Sequence, residues 1–258
     1  MAARSQLTIA VMLVASLPAC GGGGDERPLR ASDAATAPPV GTPTRPVTRP
    51  PAQEVMLPAP YQPLWPFADL AAVRSWQRSF RAGGHSPWHL DAAQTALSFT
   101  QGFLGFAGID RVTSRKVKGD DARIGVGADT EEGGRTGTAA VIHLRRVGTG
   151  GDAPWEVVGT DDTLLTLTSP AYGASASSPV TVGGRITGVD ESIRITVRRV
   201  GGDKPVGTFC CLGTGGQRSP WSAKVSFTAT PREVLTIVAS TGGHLADVES
   251  FAVTGITG

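Results

Sequence analysis

The sequence is poor in charge and in the residue types that most often do chemistry. Of its 258 residues, 18% are charged, four are His, three are Cys and two are Tyr. Lys and Arg total 24 against 22 Asp and Glu, a formal net charge of +2. That balance lacks the basic face that is the usual footprint of nucleic-acid binding, and no block of like charges occurs. No apolar run reaches the roughly 18 residues a spanning helix needs, which excludes a multi-span helical membrane protein. Glycine (34) and proline (19) are plentiful, and 40% of residues are hydrophobic, enough for ordinary cores. The length is that of about two domains.

The amino terminus reads as an export signal. Arg4 supplies a positive charge ahead of the apolar run Leu7–Leu17, which is too short to span a bilayer as a helix. Leu17-Pro18-Ala19-Cys20 follows, and then four glycines. This stretch resembles the lipobox of bacterial lipoproteins, in which the Cys is lipidated. Pro18 stands where Ala, Ser or Thr is commoner. The resemblance implies a signal peptide over 1–19, lipid attachment at Cys20, and localisation at the cell membrane on its extracytoplasmic face. Acyl chains bury methylenes at about 0.8 kcal/mol each, and two or more chains anchor stably.

Residues 20–63 read as a disordered Pro/Gly-rich tether. From Gly21 to Pro63 there are 10 Pro and 5 Gly, with almost no large apolar residue before Val55. Such a chain cannot bury enough surface to offset the entropy of ordering it. Residues 64–163 read as an α+β domain of two helices followed by an antiparallel strand meander. Phe67, Leu70, Val73, Trp76 and Phe80 recur at helical spacing, with Pro66 suited to the first helical position and Gly83-Gly84 to the stop. Asp91-Ala92-Ala93-Gln94 reads as a capping box opening the second helix. Strands are expected over Thr113–Lys118, Ala122–Ala128, Gly137–Val147 and Trp155–Thr160. This order resembles nuclear transport factor two-like or cystatin-like folds, and fold alone licenses no function.

Residues 164–258 read as an all-β immunoglobulin-like sandwich. Ile193, Ile195 and Val197 alternate with Arg194, Thr196 and Arg198. Trp221, Ala223, Val225 and Phe227 alternate with Ser222, Lys224 and Ser226. About seven short strands are expected, with a common apolar set drawn from Val182, Ile193, Ile195, Val197, Trp221, Val225, Phe227, Leu235, Ile237, Phe251 and Val253. Ser178-Pro179-Val180-Thr181-Val182-Gly183-Gly184, with Ser169-Pro170 before it and Ile193–Val197 after it, resembles the bacterial spore-germination immunoglobulin-like domain. Thr241-Gly242-Gly243-His244 replaces the Asp-Gly often found near the family's end. The resemblance implies a non-catalytic, envelope-exposed domain that mediates interactions.

Candidate chemistry is sparse. Cys210 and Cys211 admit three readings: packing or edge placement, a vicinal disulfide, or an intermolecular bridge. Adjacent Cα atoms lie nearer than the usual disulfide range, and in a strand one of the two should pack inward. His85-Ser86-Pro87-Trp88-His89, followed by Asp91, carries potential ligands, yet no second ligand cluster supports a metal site. Trp88 is expected to plug the helix junction and Asp91 to cap the second helix. The acidic pairs Asp120-Asp121, Glu131-Glu132 and Asp161-Asp162 fall at expected turns, where Asp is favoured for local hydrogen bonding. No G-x-S-x-G elbow exists, and the glycine runs Gly148–Gly151 and Gly213–Gly216 lack a following Lys-Ser/Thr and a helix.

These observations lead to the expectation of a non-enzymatic, membrane-anchored extracytoplasmic lipoprotein. It would bind or scaffold at the cell envelope, with a spore- or germination-related role implied by the resemblance. Its partners would be the membrane, through the lipid, and an envelope protein or the cell wall. No cofactor, metal or nucleic acid is called for. The alternative is a small-ligand binder with a pocket in the α+β domain lined by Trp76, His85, Trp88 and His143.

Overall fold

In the computed structural model the described residues are 55–129, 136–242 and 247–258. The signal peptide, Cys20 and most of the expected tether lie outside them. The described part is mostly β, with two antiparallel sheets and short helices, and it falls within the compact unit Pro51–Gly258.

Helix α1 spans Leu70–Gly83. It starts later than the apolar spacing suggests because Asp69, not Pro66, supplies the cap: its carboxylate accepts from the Ala72 amide at 2.8 Å. It ends where Gly84 turns left-handed, at φ 68°, and returns its N–H to the Phe80 carbonyl. A short 3-10 turn, Pro87–Leu90, leads to α2, Ala92–Ser98. Asp91 caps α2 as expected, accepting from Ala93 and Gln94 at 2.7 and 3.1 Å. A π-turn over Phe99–Phe103 continues it.

The first sheet has the order β1-β2-β3-β4, with β1 Arg111–Lys118, β2 Asp121–Asp129, β3 Thr136–Arg146 and β4 Trp155–Asp161. This is the meander the alternation predicted. One face carries Ala122, Ile124, Ile142, Leu144, Trp155 and Val157 into a core with Ala96, Phe99 and Phe103. The opposite face carries Val158 and Val147, which pack with Leu57, Phe67 and Val73. The end of the expected tether therefore makes ordered contacts: Leu57 is buried, and Met56 and Tyr61 pack beside it. Beyond it, the Leu64 and Val157 backbones join Trp65 to the free edge of β4.

The second sheet has the order β6-β5-β7-β8, with β5 Val180–Arg199, β6 Gly207–Val225, β7 Val234–Thr241 and β8 Ser250–Thr257. Among the described residues four strands stand in place of the roughly seven that the alternation predicts. Val180–Ile186 and Ile193–Val197 are two halves of one strand, and so are the Cys210 and Trp221 segments. Register shifts between Ile186 and Glu191 bend the pair, and such bulges bend strands without ending them. Residues near Leu165 and Ser169 bridge the first half of β5. They approach so closely that a Cβ on Gly184 would meet the Thr166 carbonyl oxygen, which only glycine tolerates. Both halves of β5 and β6 feed a second core of Val182, Ile186, Ile193, Ile195, Trp221, Leu235 and Ile256. Trp221 is 4% exposed, a core residue.

Two members of the expected apolar set face elsewhere. Phe251 and Val253, with Val238, belong to the first core, packed against sheet one and the α2 region. Phe227 lies just past the end of β6 and packs in the second core from there. Strand β8 is consequently buried on both faces, with Ala252 and Ile256 turned to the second core.

Candidate functional site

The densest set of interacting ionisable side chains sits on the outer face of sheet one. Period-two alternation along β2 and β3 sends Ala122, Ile124, Ile142 and Leu144 inward, and so turns Asp121, Arg123, His143 and Arg145 outward. Asp121 is the hub. Its carboxylate meets the Arg123 guanidinium, His143 Nε2 at 2.9 Å and Arg145 at 3.0 Å. Arg123 reaches on to both oxygens of Asp161 at 2.8 Å. Tyr61 closes one side, edge-on to the His143 ring at 5.3 Å and with the Arg145 guanidinium 5.1 Å from its ring centre. Burial raises the Asp121 pKa, but hydrogen bonds from His143 and Arg145 and the charge of Arg123 outweigh it and hold the carboxyl below its usual value. His143 is lowered, first by burial and then by Arg123, against the pull of Asp121. The imidazole is thus a neutral donor to an ionised carboxylate.

A second cluster lies where residues 65–67, α1 and the 3-10 turn meet. Trp65 and Trp88 stack at 5.3 Å, and Trp88, Phe67 and Trp76 surround the His89 ring at 3.6, 4.8 and 5.0 Å. Burial among these rings pushes the His89 pKa down to about 4, and its Nδ1 has no hydrogen-bond partner among the described residues. Beneath them is Glu156, fully buried, whose Oε2 accepts from the Phe67 amide at 3.2 Å. Burial raises its pKa well above the carboxylate range, against the backbone hydrogen bonds of Phe67 and Trp65. Its Oε1 is buried and has no hydrogen-bond partner among the described residues. The carboxyl is held neutral, as an unpaired buried charge would be very costly.

The expected pocket residues divide between these clusters. Trp76 and Trp88 both touch His89. His85 is exposed on the loop after α1, and Trp76 Nε1 donates to the neighbouring Ser86 carbonyl at 3.3 Å. His143 belongs to the Asp121 network instead. Two open concavities lie elsewhere. One, of about 740 Å³, is lined by Ser175, Ala176, Ser178, Phe227 and Thr228 at the end of sheet two. The other is formed by Asp120, Arg146 and the Gly148–Gly151 loop. Neither is lined by Trp76, His85, Trp88 or His143.

Cys210 and Cys211 are both exposed on β6, with their Sγ atoms in contact. The expectation that one packs inward is corrected by a bulge: Phe209 pairs with Ile195 and Leu212 with Ile193, so the cysteines share the interval and lose strict alternation. Among the described residues, no group of three or more His, Cys, Asp and Glu side chains is placed to hold a metal.

Asp121 and Asp161 lie at strand ends rather than free in turns, so the turn reading hid their partners. Glu156 had a legible signal: it is the one charge inside the apolar run Trp155-Glu156-Val157-Val158. Comparison of the chain with protein-family models, with curated proteins and with solved structures gives no match.

Proposed function

We propose that the chain is a non-enzymatic, lipid-anchored extracytoplasmic protein that binds or scaffolds at the cell envelope. The observation that carries this reading is Leu17-Pro18-Ala19-Cys20 directly after an 11-residue apolar run, with a proline-rich stretch behind it. The outer face of sheet one supports it: His143 spends Nε2 on Asp121, and Asp121 spends its charge on two cations, Arg123 and Arg145, so the network satisfies itself. A self-satisfied network holds a surface rigid, whereas acid–base catalysis needs a group aimed at a substrate. We read residues 164–258 as an immunoglobulin-like module of the spore-germination type, a role for interaction rather than turnover. Its doubly fed core and the Ser178–Gly184 stretch support that reading.

Mass spectrometry of the native protein tests it. The expected result is an amino-terminal, acylated Cys20, and loss of the membrane-bound form in Cys20→Ala. An unmodified terminus at another residue overturns the anchored reading.

A further inference from the structure

We propose that the free edge of β1 is a docking strand for an extended partner segment that alternates apolar and acidic residues. β1 is an end strand of sheet one, and among the described residues only β2 pairs with it. Seven of its eight residues are exposed. An unpaired edge of this length presents a row of backbone donors and acceptors that a further strand can complete.

The side chains give that strand its chemistry. Val112 and Val117 stand opposite Val126 and Ala122, both fully buried. They continue the apolar side of the sheet one strand beyond its cover and are 39% and 49% exposed. On the opposite side, Lys116 stands across from Arg123 and Lys118 across from Asp121. These are two of only four lysines in the chain, and neither has an ion-pair partner among the described residues. The other cations of β1 are engaged: Arg115 with Asp91 at 2.5 Å, and Arg111 with Asp129 at 3.1 Å. An added strand would thus meet apolar surface on one side and free ammonium groups on the other. Period two then requires it to alternate apolar with acidic residues. A second copy of β1 is the wrong occupant, because antiparallel self-pairing sets Arg and Lys against each other, which destabilises a pair. Backbone bonds would supply most of the affinity and the lysines the selection.

This deepens the scaffold reading, and the two fail separately, one at Cys20 and the other at residues 111–118. The test uses the full mature chain in detergent with a blocked probe peptide, Thr-Glu-Val-Glu-Val-Glu-Val-Thr, and its counterpart with Lys for Glu. Hydrogen exchange should show the acidic peptide protecting amides of 111–118. Its affinity should fall about tenfold in the double variant Lys116→Glu, Lys118→Glu, and the lysine peptide should bind that variant better than the parent. Both substitutions sit on exposed side chains, so folding is preserved. No binding of the acidic peptide, equal binding of the two peptides, protection elsewhere, or crosslinked dimers through β1 in place of peptide binding would each overturn the proposal.

Discussion

The two cores are built from different materials. The second, between the halves of β5 and β6 and strands β7 and β8, is almost wholly aliphatic around Trp221. The first region buries aromatic rings together with ionisable groups, Glu156 and His89 among them. An aliphatic core responds to volume. A core holding neutralised ionisable groups responds to pH as well, since each shifted pKa is a stability difference between folded and unfolded chains. The regions also share a border, because Val238, Phe251 and Val253 of sheet two lie in the first core.

The largest expected effects come from that border and from the second core. Phe251→Ala and Trp221→Ala should each cost about 3–5 kcal/mol, a large part of the 5–15 kcal/mol typical of a domain. Denaturant unfolding followed by tryptophan fluorescence and by far-UV circular dichroism measures this. Because Phe251 links the sheets, its loss should leave one coincident transition at lower denaturant. Two separated transitions would show that the sheets fold apart, and an unchanged midpoint for Trp221→Ala would remove it from the core.

The pH response is next in size, and it sharpens the contrast. Glu156 has a folded pKa above its unfolded value of 4.5. Its contribution is full below pH 4.5 and is lost as pH rises toward the folded value. His89 has a folded pKa of about 4, below its unfolded 6.5. Its contribution is full above pH 6.5 and is lost as pH falls toward 4, and His143 acts in the same direction. Between pH 4.5 and 6.5 the slopes oppose each other, each at most about 1.4 kcal/mol per pH unit. The parent should therefore be nearly flat in that window. Glu156→Gln keeps an acceptor for the Phe67 amide and should make stability rise with pH. His89→Phe removes the main slope opposing that of Glu156 and should make stability fall as pH rises. Unchanged slopes in both variants would mean that neither group is buried as described.

The smallest effect belongs to the outer face. Asp121 is partly exposed, so Asp121→Asn should cost no more than about 1 kcal/mol. The same substitution should lower the His143 pKa further, because the hydrogen bond and charge of Asp121 are the main influences raising it, ahead of the charge of Asp161. Two-dimensional NMR of the imidazole reads that shift, and an upward move would contradict the hydrogen bond.

Local signals are legible in the chain. Asp91 caps α2, Gly84 ends α1, and β1 to β4 fall within a residue or two of the alternating runs, because caps and period-two patterning act over a few neighbours. The candidate site was less legible. Trp76 and Trp88 come together at the helix junction, but His143 joins the Asp121 network instead, a consequence of strand pairing that residue spacing does not carry. Glu156 announced itself by polarity alone, without its depth.

By itself the sequence determined where strands and helices form and which residues can share a face. Only the tertiary structure decided what each face meets. Thr236, Val238 and Ser240, on the side of β7 that alternation assigns to solvent, are all buried, and Val238 packs there with Phe251 and Val253 of β8 in the core under sheet one and the α2 region. Alternation is a property of one strand and separates its two sides. Whether the second side sees water depends on another surface, made tens of residues away, that has an apolar face of its own to bury.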